Sequence, residues 1–224
     1  MSEPDFQGFP PEAFRWFSGL ENDNSKRYFE ARRNIYDAAV RGPLEALLDE
    51  LADELGGVVK MFRQNRDLRF SADKSPYKTT TYGVIGQRPG SSAPLYAQLS
   101  SGGLFAGTGY YRLDGEQLTR FRDAVVDERT GPPLVRAVAA VRGAGIETFG
   151  ETLKTAPRGY PRDHPRIAML RHRLLIAGLR LEPDHGGLSR DAVLGHVRRV
   201  WETAAPLNAW LDKYVGPGEG GRVQ

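Results

Sequence analysis

Residues 79–111, TTTYGVIGQRPGSSAPLYAQLSSGGLFAGTGYY, hold three β-prone runs, 79–86, 95–100 and 104–111, set apart by clusters of Gly, Ser and Pro. Such clusters are turn chemistry, because glycine reaches left-handed backbone at no steric cost and proline fixes φ. Two further runs, 58–63 and 67–71, precede them. Adjacent runs lie too close along the chain for a crossover helix of about a dozen residues, so the strands are expected to pair in a mainly antiparallel sheet. Gly102, Gly103, Gly107 and Gly109 do not spell a GxGxxG phosphate loop and read instead as bends or close backbone approach.

Helices are expected on both sides of this region. Pro10 and Pro11 introduce a helix carrying Phe14, Trp16, Phe17 and Leu20; Asn24 then serves as N-cap for one carrying Tyr28, Phe29, Ile35, Tyr36 and Val40. A third opens on Pro43 and sets Leu44, Leu47, Leu48, Leu51 and Leu55 in a single apolar stripe, closed by Gly56-Gly57. Downstream, the spacing predicts helices over 114–127 and 132–142 and a strand around 173–181. A late helix runs from Ser189 to Ala204 and is ended by Pro206, after which Leu207, Trp210 and Leu211 dock a last turn. The fold class is therefore α+β, a mainly antiparallel sheet packed with N-terminal and C-terminal helices, as one domain over 1–215 with a disordered Gly-rich tail at 216–224.

Composition narrows the function. A chain of 224 residues with 40% hydrophobic and 26% charged residues is ordinary for a water-soluble domain, and no run approaches the roughly 18 apolar residues of a membrane helix. The first residues, MSEPDFQGFPPEAF, have neither the basic nor the apolar region of a secretory signal, so a cytoplasmic location and no membrane contact are expected. The absence of cysteine excludes disulfides, thiolate nucleophiles and Cys-ligated metal sites. The four histidines, 164, 172, 185 and 196, show no HExxH or i, i+4 pairing. Asp163-His164 and Asp184-His185, beside Pro and Gly, read as turns, and neither a metal nor a cofactor is expected.

Charge is concentrated in one place. Within residues 60–78, KMFRQNRDLRFSADKSPYK, six cations (Lys60, Arg63, Arg66, Arg69, Lys74, Lys78) stand against Asp67 and Asp73, a balance of +4 in a chain whose total is +3, so everything else sums to −1. Read as a strand over 63–71, this cassette places Arg63, Asn65, Asp67, Arg69 and Ser71 on one face, where Asp67 can accept from Arg69 or Arg63 and hold a guanidinium in place. The continuation reads as a loop. Asp73 forms an Asx-turn, Pro76 forces Ser75 into an extended conformation, and Lys74, Tyr77 and Lys78 are delivered beside the hydroxyls of Thr79, Thr80 and Thr81. Arginine, lysine and tyrosine donors gathered in this way suit a phosphate or carboxylate. Lys154 and Arg158, in a later loop with Pro157 and Tyr160, repeat the theme, and Tyr110, Tyr111 and Arg112 end a Gly-rich strand. Against all of this stands the reading that the cassette is only an ion-pair network serving the fold.

The pattern RxNRDxRFSxDKSPYKT, Arg63 to Thr79, closely resembles the signature of the family known as domain of unknown function 2461. Asn22–Phe29 (NDNSKRYF), Gly107–Arg122 (GxGxYxxxxxxLxxxR), Leu153–Leu170 (LKxxPxGxxxDHP) and Ala205–Leu211 (APLNAWL) are similar to further elements of that family, so the likeness covers about residues 6 to 213. The resemblance implies one full-length domain but no reaction, substrate, cofactor or catalytic residue.

Three functions follow from the residues. The first is a domain binding a phosphate-bearing ligand, small molecule or nucleic acid, through Arg63, Arg66, Arg69, Lys74 and Lys78; the net −1 outside the cassette argues against a broad polynucleotide surface. The second is an enzyme with Asp67 or Asp73 as general base and Lys74, Tyr77 or Arg69 stabilising developing negative charge. The third is an interaction module whose cassette docks an acidic protein partner. The sequence does not set the oligomeric state.

Overall fold

The structure is a computed structural model of the 224-residue chain, and it describes residues 6–69, 72–184 and 186–218. In chain order the elements are β1 (Gly8–Phe9), α1 (Pro11–Asn22), α2 (Lys26–Ala31), α3 (Arg33–Ile35), a π-helical segment (Tyr36–Arg41) and α4 (Gly42–Leu55). Then follow β2 (Val58–Met61), β3 (Thr80–Gly86), β4 (Leu95–Ser100), β5 (Gly103–Tyr110), α5 (Gly115–Val126) and α6 (Gly131–Gly143). The chain continues through β6 (Glu147–Phe149), α7 (Ile167–Leu170), β7 (Leu175–Leu181), β8 (Leu188–Ser189) and α8 (Arg190–Tyr214). Six strands form one antiparallel sheet in the order β2-β3-β4-β5-β7-β6, and β1 pairs with β8 in a two-stranded sheet. The fold is α+β, as the spacing of the strand runs implied.

The chain divides into two compact units, one of residues 1–85, 96–106 and 180–198 and the other of 86–95, 107–179 and 199–224. In the first, the apolar stripe of α4 (Leu44, Leu47, Leu48, Leu51) is fully buried, and Gly56, with φ of 72°, ends the helix by donating its N–H to Ala52. The helix lies so close to the sheet that a Cβ on Gly83 of β3 would stand 2.5 Å from the Leu48 side chain and 2.6 Å from the Met61 sulfur. Trp16 of α1 gathers Phe17, Phe29 and Tyr36 around its indole at centroid distances of 5.1, 5.7 and 4.9 Å. Along β3 and β4 the residues alternate between these buried positions and a half-buried face, where Phe62, Tyr82, Tyr96 and Phe105 form a ladder of rings 4.6, 5.5 and 6.1 Å apart.

In the second unit, α5 opens with a capping box: Asp114 accepts from the Gln117 N–H, and the Gln117 side chain accepts from the Asp114 N–H. Phe121, Val125, Leu134, Val138 and Val141 are buried, with Trp201, Leu207, Trp210 and Leu211 of α8. Two indoles fix that helix, Trp201 donating to the Gly107 carbonyl at 3.1 Å and Trp210 to the Thr130 carbonyl at 2.8 Å. The carbonyls of Val215, Gly216 and Pro217 accept from Arg120 and Gln117. Residues 219–224 of the expected tail lie outside the described residues.

Three expectations are corrected. Pro206 does not end α8, which continues to Tyr214. A proline there removes only the hydrogen bond to the Glu202 carbonyl, and burial of Leu207, Trp210 and Leu211 beyond it outweighs a helix-interior penalty of about 3 kcal/mol. The cap of α2 is Ser25, whose hydroxyl accepts from the Tyr28 N–H at 3.1 Å, and not Asn24, which is used elsewhere. No strand runs through 62–69: β2 stops at Met61, and the chain leaves the sheet.

Candidate functional site

The cassette is a loop between the neighbouring strands β2 and β3, both within the first unit. Its two legs close on each other. Asn65 and Tyr77 form an isolated antiparallel bridge, in which the Arg66 N–H donates to the Pro76 carbonyl at 2.9 Å and the Lys78 N–H to the Gln64 carbonyl at 3.0 Å. The backbone groups that a 63–71 strand would offer to a neighbour are thus taken up by the loop's own return leg. Asp67 contributes to the bend, since its carboxylate accepts from the Arg69 N–H two residues on at 3.1 Å.

Two buried side chains, Gln64 and Tyr77, and the half-buried Asn24 pin this closure to the core. Gln64, 5% exposed, donates its amide to the Lys78 carbonyl and accepts from the Thr81 hydroxyl at 2.8 Å and the Tyr36 hydroxyl at 3.4 Å. Tyr77 is also 5% exposed, stacked on Phe29 with centroids 4.2 Å apart and planes at 12°. Asn24 clasps the Tyr77 backbone from the start of α2, accepting from its N–H at 3.1 Å and donating to its carbonyl at 3.0 Å. Asn24 therefore acts 53 positions away instead of capping its own helix. Tyr77, expected at the ligand, is an anchor.

The acidic residues serve the loop. Asp67 holds the Arg69 guanidinium in a two-pronged bond, Nε to Oδ1 at 3.0 Å and Nη2 to Oδ2 at 2.6 Å. That guanidinium and the Arg69 N–H hold the Asp67 carboxyl down at about 2. Asp73 makes the expected Asx-turn, accepting from the Ser75 N–H at 2.9 Å and the Ser75 hydroxyl at 2.6 Å, and also pairs with Arg66. Those Ser75 donors, then Arg66, hold the Asp73 carboxyl down at about 2 as well.

The remaining cations differ. Lys74 caps the Leu68 carbonyl at 3.1 Å. Lys78 donates to the Arg63 carbonyl at 2.7 Å, lies 3.4 Å from the Tyr82 hydroxyl, and sits 4.7 Å over the Tyr82 ring. Its ammonium is pushed below the usual lysine range by burial and by the Arg63 charge beside it. Arg63 itself is exposed. Among the described residues, none of Arg63, Lys74 and Lys78 has a carboxylate within ion-pair distance. Lys60, from the strand before, lies 5.0 Å over the Phe62 ring.

Other expected residues lie elsewhere. Ser71 is outside the described residues, as is His185. Lys154 and Arg158 are exposed on the 150–166 loop of the second unit. There, the Tyr110 hydroxyl donates to Asp212 at 2.8 Å, and the same carboxylate accepts from the Ser91 hydroxyl at 2.7 Å and the Ser92 N–H at 2.8 Å. Burial and then that carboxylate push the Tyr110 hydroxyl above its ordinary range, so it is a fixed donor in a tether. Tyr111 is 78% exposed. His164 accepts from the Arg166 N–H two residues on at 3.1 Å, as a turn residue does, and no group of three metal-ligating side chains occurs among the described residues. Residue types near the cassette did not reveal the anchoring roles of Gln64, Asn24, Tyr36 and Thr81, because each acts through a partner distant in sequence.

The clasp at Asn24, the bent loop and all of the surrounding motifs but the last residue of Ala205–Leu211 fall inside a single stretch recognised by a family model. No curated protein matches the chain. The model, described as conserved hypothetical protein (DUF2461), matches residues 12–210, and the chain belongs to that family.

Proposed function

We propose that this protein binds a phosphate-bearing ligand through Arg63, Lys78 and Lys74. The observation that carries the reading is the unequal treatment of the cassette's charges: Asp67 and Asp73 neutralise Arg69 and Arg66, while Arg63, Lys74 and Lys78 have no carboxylate partner among the described residues. Like charges kept together on a fixed loop repel, and a bound anion offsets that repulsion. Lys78 is the focus. Its ammonium has three donors, of which two are aimed at the Arg63 carbonyl and the Tyr82 hydroxyl, leaving one for an oxyanion beside the Arg63 guanidinium. Clasped at Tyr77, the loop presents these groups with little ordering cost on binding.

Binding is favoured over catalysis by the same geometry. Carboxyls held at about 2 are poor general bases near neutral pH, because the arginine and serine groups that donate to the carboxylates stabilise the anion and leave it little affinity for a proton.

Titration calorimetry with tripolyphosphate, and separately with a single-stranded oligonucleotide, tests the reading. Arg63→Ala removes an exposed side chain and should weaken binding about tenfold, as should Lys78→Met, given about 1.4 kcal/mol for one charge-assisted bond. An oligonucleotide held by these three cations should show a log–log salt slope of roughly −2. Affinity unchanged in both variants would refute the assignment.

A further inference from the structure

We infer that the ligand held at Arg63 and Lys78 is a nucleotide, its base lying over the aromatic ladder of the neighbouring sheet face. The inference rests on the phosphate site proposed above and names the body that carries the phosphate. The ladder begins where the cassette's cations stand. Phe62, just past β2, and Tyr82 of β3 are cross-strand neighbours, the Phe62 N–H donating to the Tyr82 carbonyl at 3.1 Å. The Lys60 ammonium lies 5.0 Å over the Phe62 ring, and that of Lys78 lies 4.7 Å over the Tyr82 ring and 3.4 Å from its hydroxyl. From Tyr82 the rings run on to Tyr96 of β4 at 5.5 Å and then to Phe105 of β5 at 6.1 Å. All of these residues belong to the first unit.

Two observations define what the ladder accepts. The first is how its rings stand. Phe62 and Tyr82 are stacked 4.6 Å apart with planes at 25°, about the spacing of adjacent strands, so they rise upright from the sheet and turn their edges outward. All four rings are half-buried, whereas the opposite face, with Thr81 and Ile85 of β3 and Ala97 and Leu99 of β4, is closed into the core. Ring edges carry partial positive charge, and a planar π-system laid across them makes the edge-to-face contact that aromatic pairs prefer. A purely aliphatic body gains no such contact. The second observation is Gln98, two residues along β4 from Tyr96 and therefore on the same face. Its Oε1 accepts from the Tyr96 hydroxyl, so the amide nitrogen is left to donate, and the ring nitrogens and carbonyls of a base are acceptors. Charge sets the length of the ligand. Lys60 and Lys78 lie over the first two rings, and everything outside the cassette sums to −1, which suits one anionic group with one base better than a strand whose phosphates repeat.

Calorimetric titration of the full chain with ATP, which is a triphosphate chain with adenosine attached, isolates the contribution of the base. At matched ionic strength ATP should bind about fivefold more tightly than tripolyphosphate, equivalent to about 1 kcal/mol for an aromatic contact. ATP carries no more charge than tripolyphosphate, so such a gain is not electrostatic. Tyr96→Leu keeps apolar cover on the sheet but removes the ring and the hydroxyl that orients Gln98, and the two ligands should bind this variant alike. The wild-type protein supplies a readout that needs no variant: intermolecular nuclear Overhauser effects should link the adenine protons to the rings of Tyr96 or Phe105. ATP binding no tighter than tripolyphosphate, a preference that persists in Tyr96→Leu, or adenine contacts absent from both rings would each overturn the nucleotide and leave the phosphate site standing. A single-stranded oligonucleotide that binds more tightly than ATP would overturn it in favour of a strand. If neither tripolyphosphate nor ATP binds, the phosphate site falls and the nucleotide with it.

Discussion

Asn24→Asp separates two roles that one residue could play. Were Asn24 the cap of α2, aspartate would serve as well or better, since both cap comparably and a carboxylate is favoured at a helix N-terminus. In the clasp the outcome reverses. Aspartate still accepts from the Tyr77 N–H, but the amide that donates to the Tyr77 carbonyl is replaced by a carboxylate oxygen facing another acceptor. One bond is lost and a part-buried repulsion is gained. Asn24→Ala loses both bonds, at about 0.5–1.5 kcal/mol each, so a destabilisation of about 1–3 kcal/mol is expected, and Asn24→Asp should match or exceed it above the carboxyl pKa. In a chain of this size that lowers Tm by roughly 3–10 °C, measurable by calorimetry. Ser25→Ala, which removes the actual cap, should cost about 1 kcal/mol and leave the loop in place. Hydrogen exchange at the Tyr77 amide adds a local readout: it should quicken in both Asn24 variants and not in Ser25→Ala. If Asn24→Asp melts with the wild type, the clasp contributes nothing and the anchoring of the loop must lie elsewhere.

Two further outcomes follow. The Asp67 and Asp73 carboxyls should titrate near 2 by carbon NMR; because their folded pKa values lie below the ordinary aspartate value of 3.8, the stability they lend is full above about pH 4 and is lost as pH falls through 2. Midpoints near 3.8 for both would show the Arg69 and Ser75 contacts to be unoccupied in solution. Pro206→Ala should stabilise the protein by about 2 kcal/mol, the helix-interior penalty of about 3 less the entropy that proline removes from the unfolded chain, since Pro206 is exposed and its removal opens no cavity. Thermal melting checks it, and a lower Tm would mean that the proline is required where it stands.

The sequence reading succeeded where the signal is local and periodic. The leucine stripe of α4, the glycine that ends it, and the strand runs over 79–111 are each set by residues within a turn or two, so their spacing carries the information. Pro206 misled because a local penalty of about 3 kcal/mol was outweighed by the burial of Leu207, Trp210 and Leu211, which no local pattern records. The cassette failed in a more instructive way. An alternation of Arg, Asn, Asp and Arg over 63–69 satisfies strand periodicity, yet Asp67 bonds to the backbone two residues on, and short acceptors of this kind favour a turn over a ladder. What then fixes the loop comes from Asn24, Tyr36 and Thr81, at separations of 53, 28 and 17 positions from their partners.

That division of labour bears on function. A loop that existed only to join β2 to β3 would need the clasp and the two Asp–Arg pairs, and these already balance four of its charges. Arg63, Lys74 and Lys78 add nothing to that balance; two of them spend their ammonium groups on backbone carbonyls, Leu68 and Arg63, which hold position without neutralising charge. Uncompensated cations held in place by neutral acceptors, on a loop made rigid from the core outward, form a preorganised arrangement that favours an incoming anion over a protein carboxylate. On the anion-binding function proposed above, the ion-pair network and the anion site are two halves of one loop, the acidic residues shaping it and the surplus cations facing the ligand.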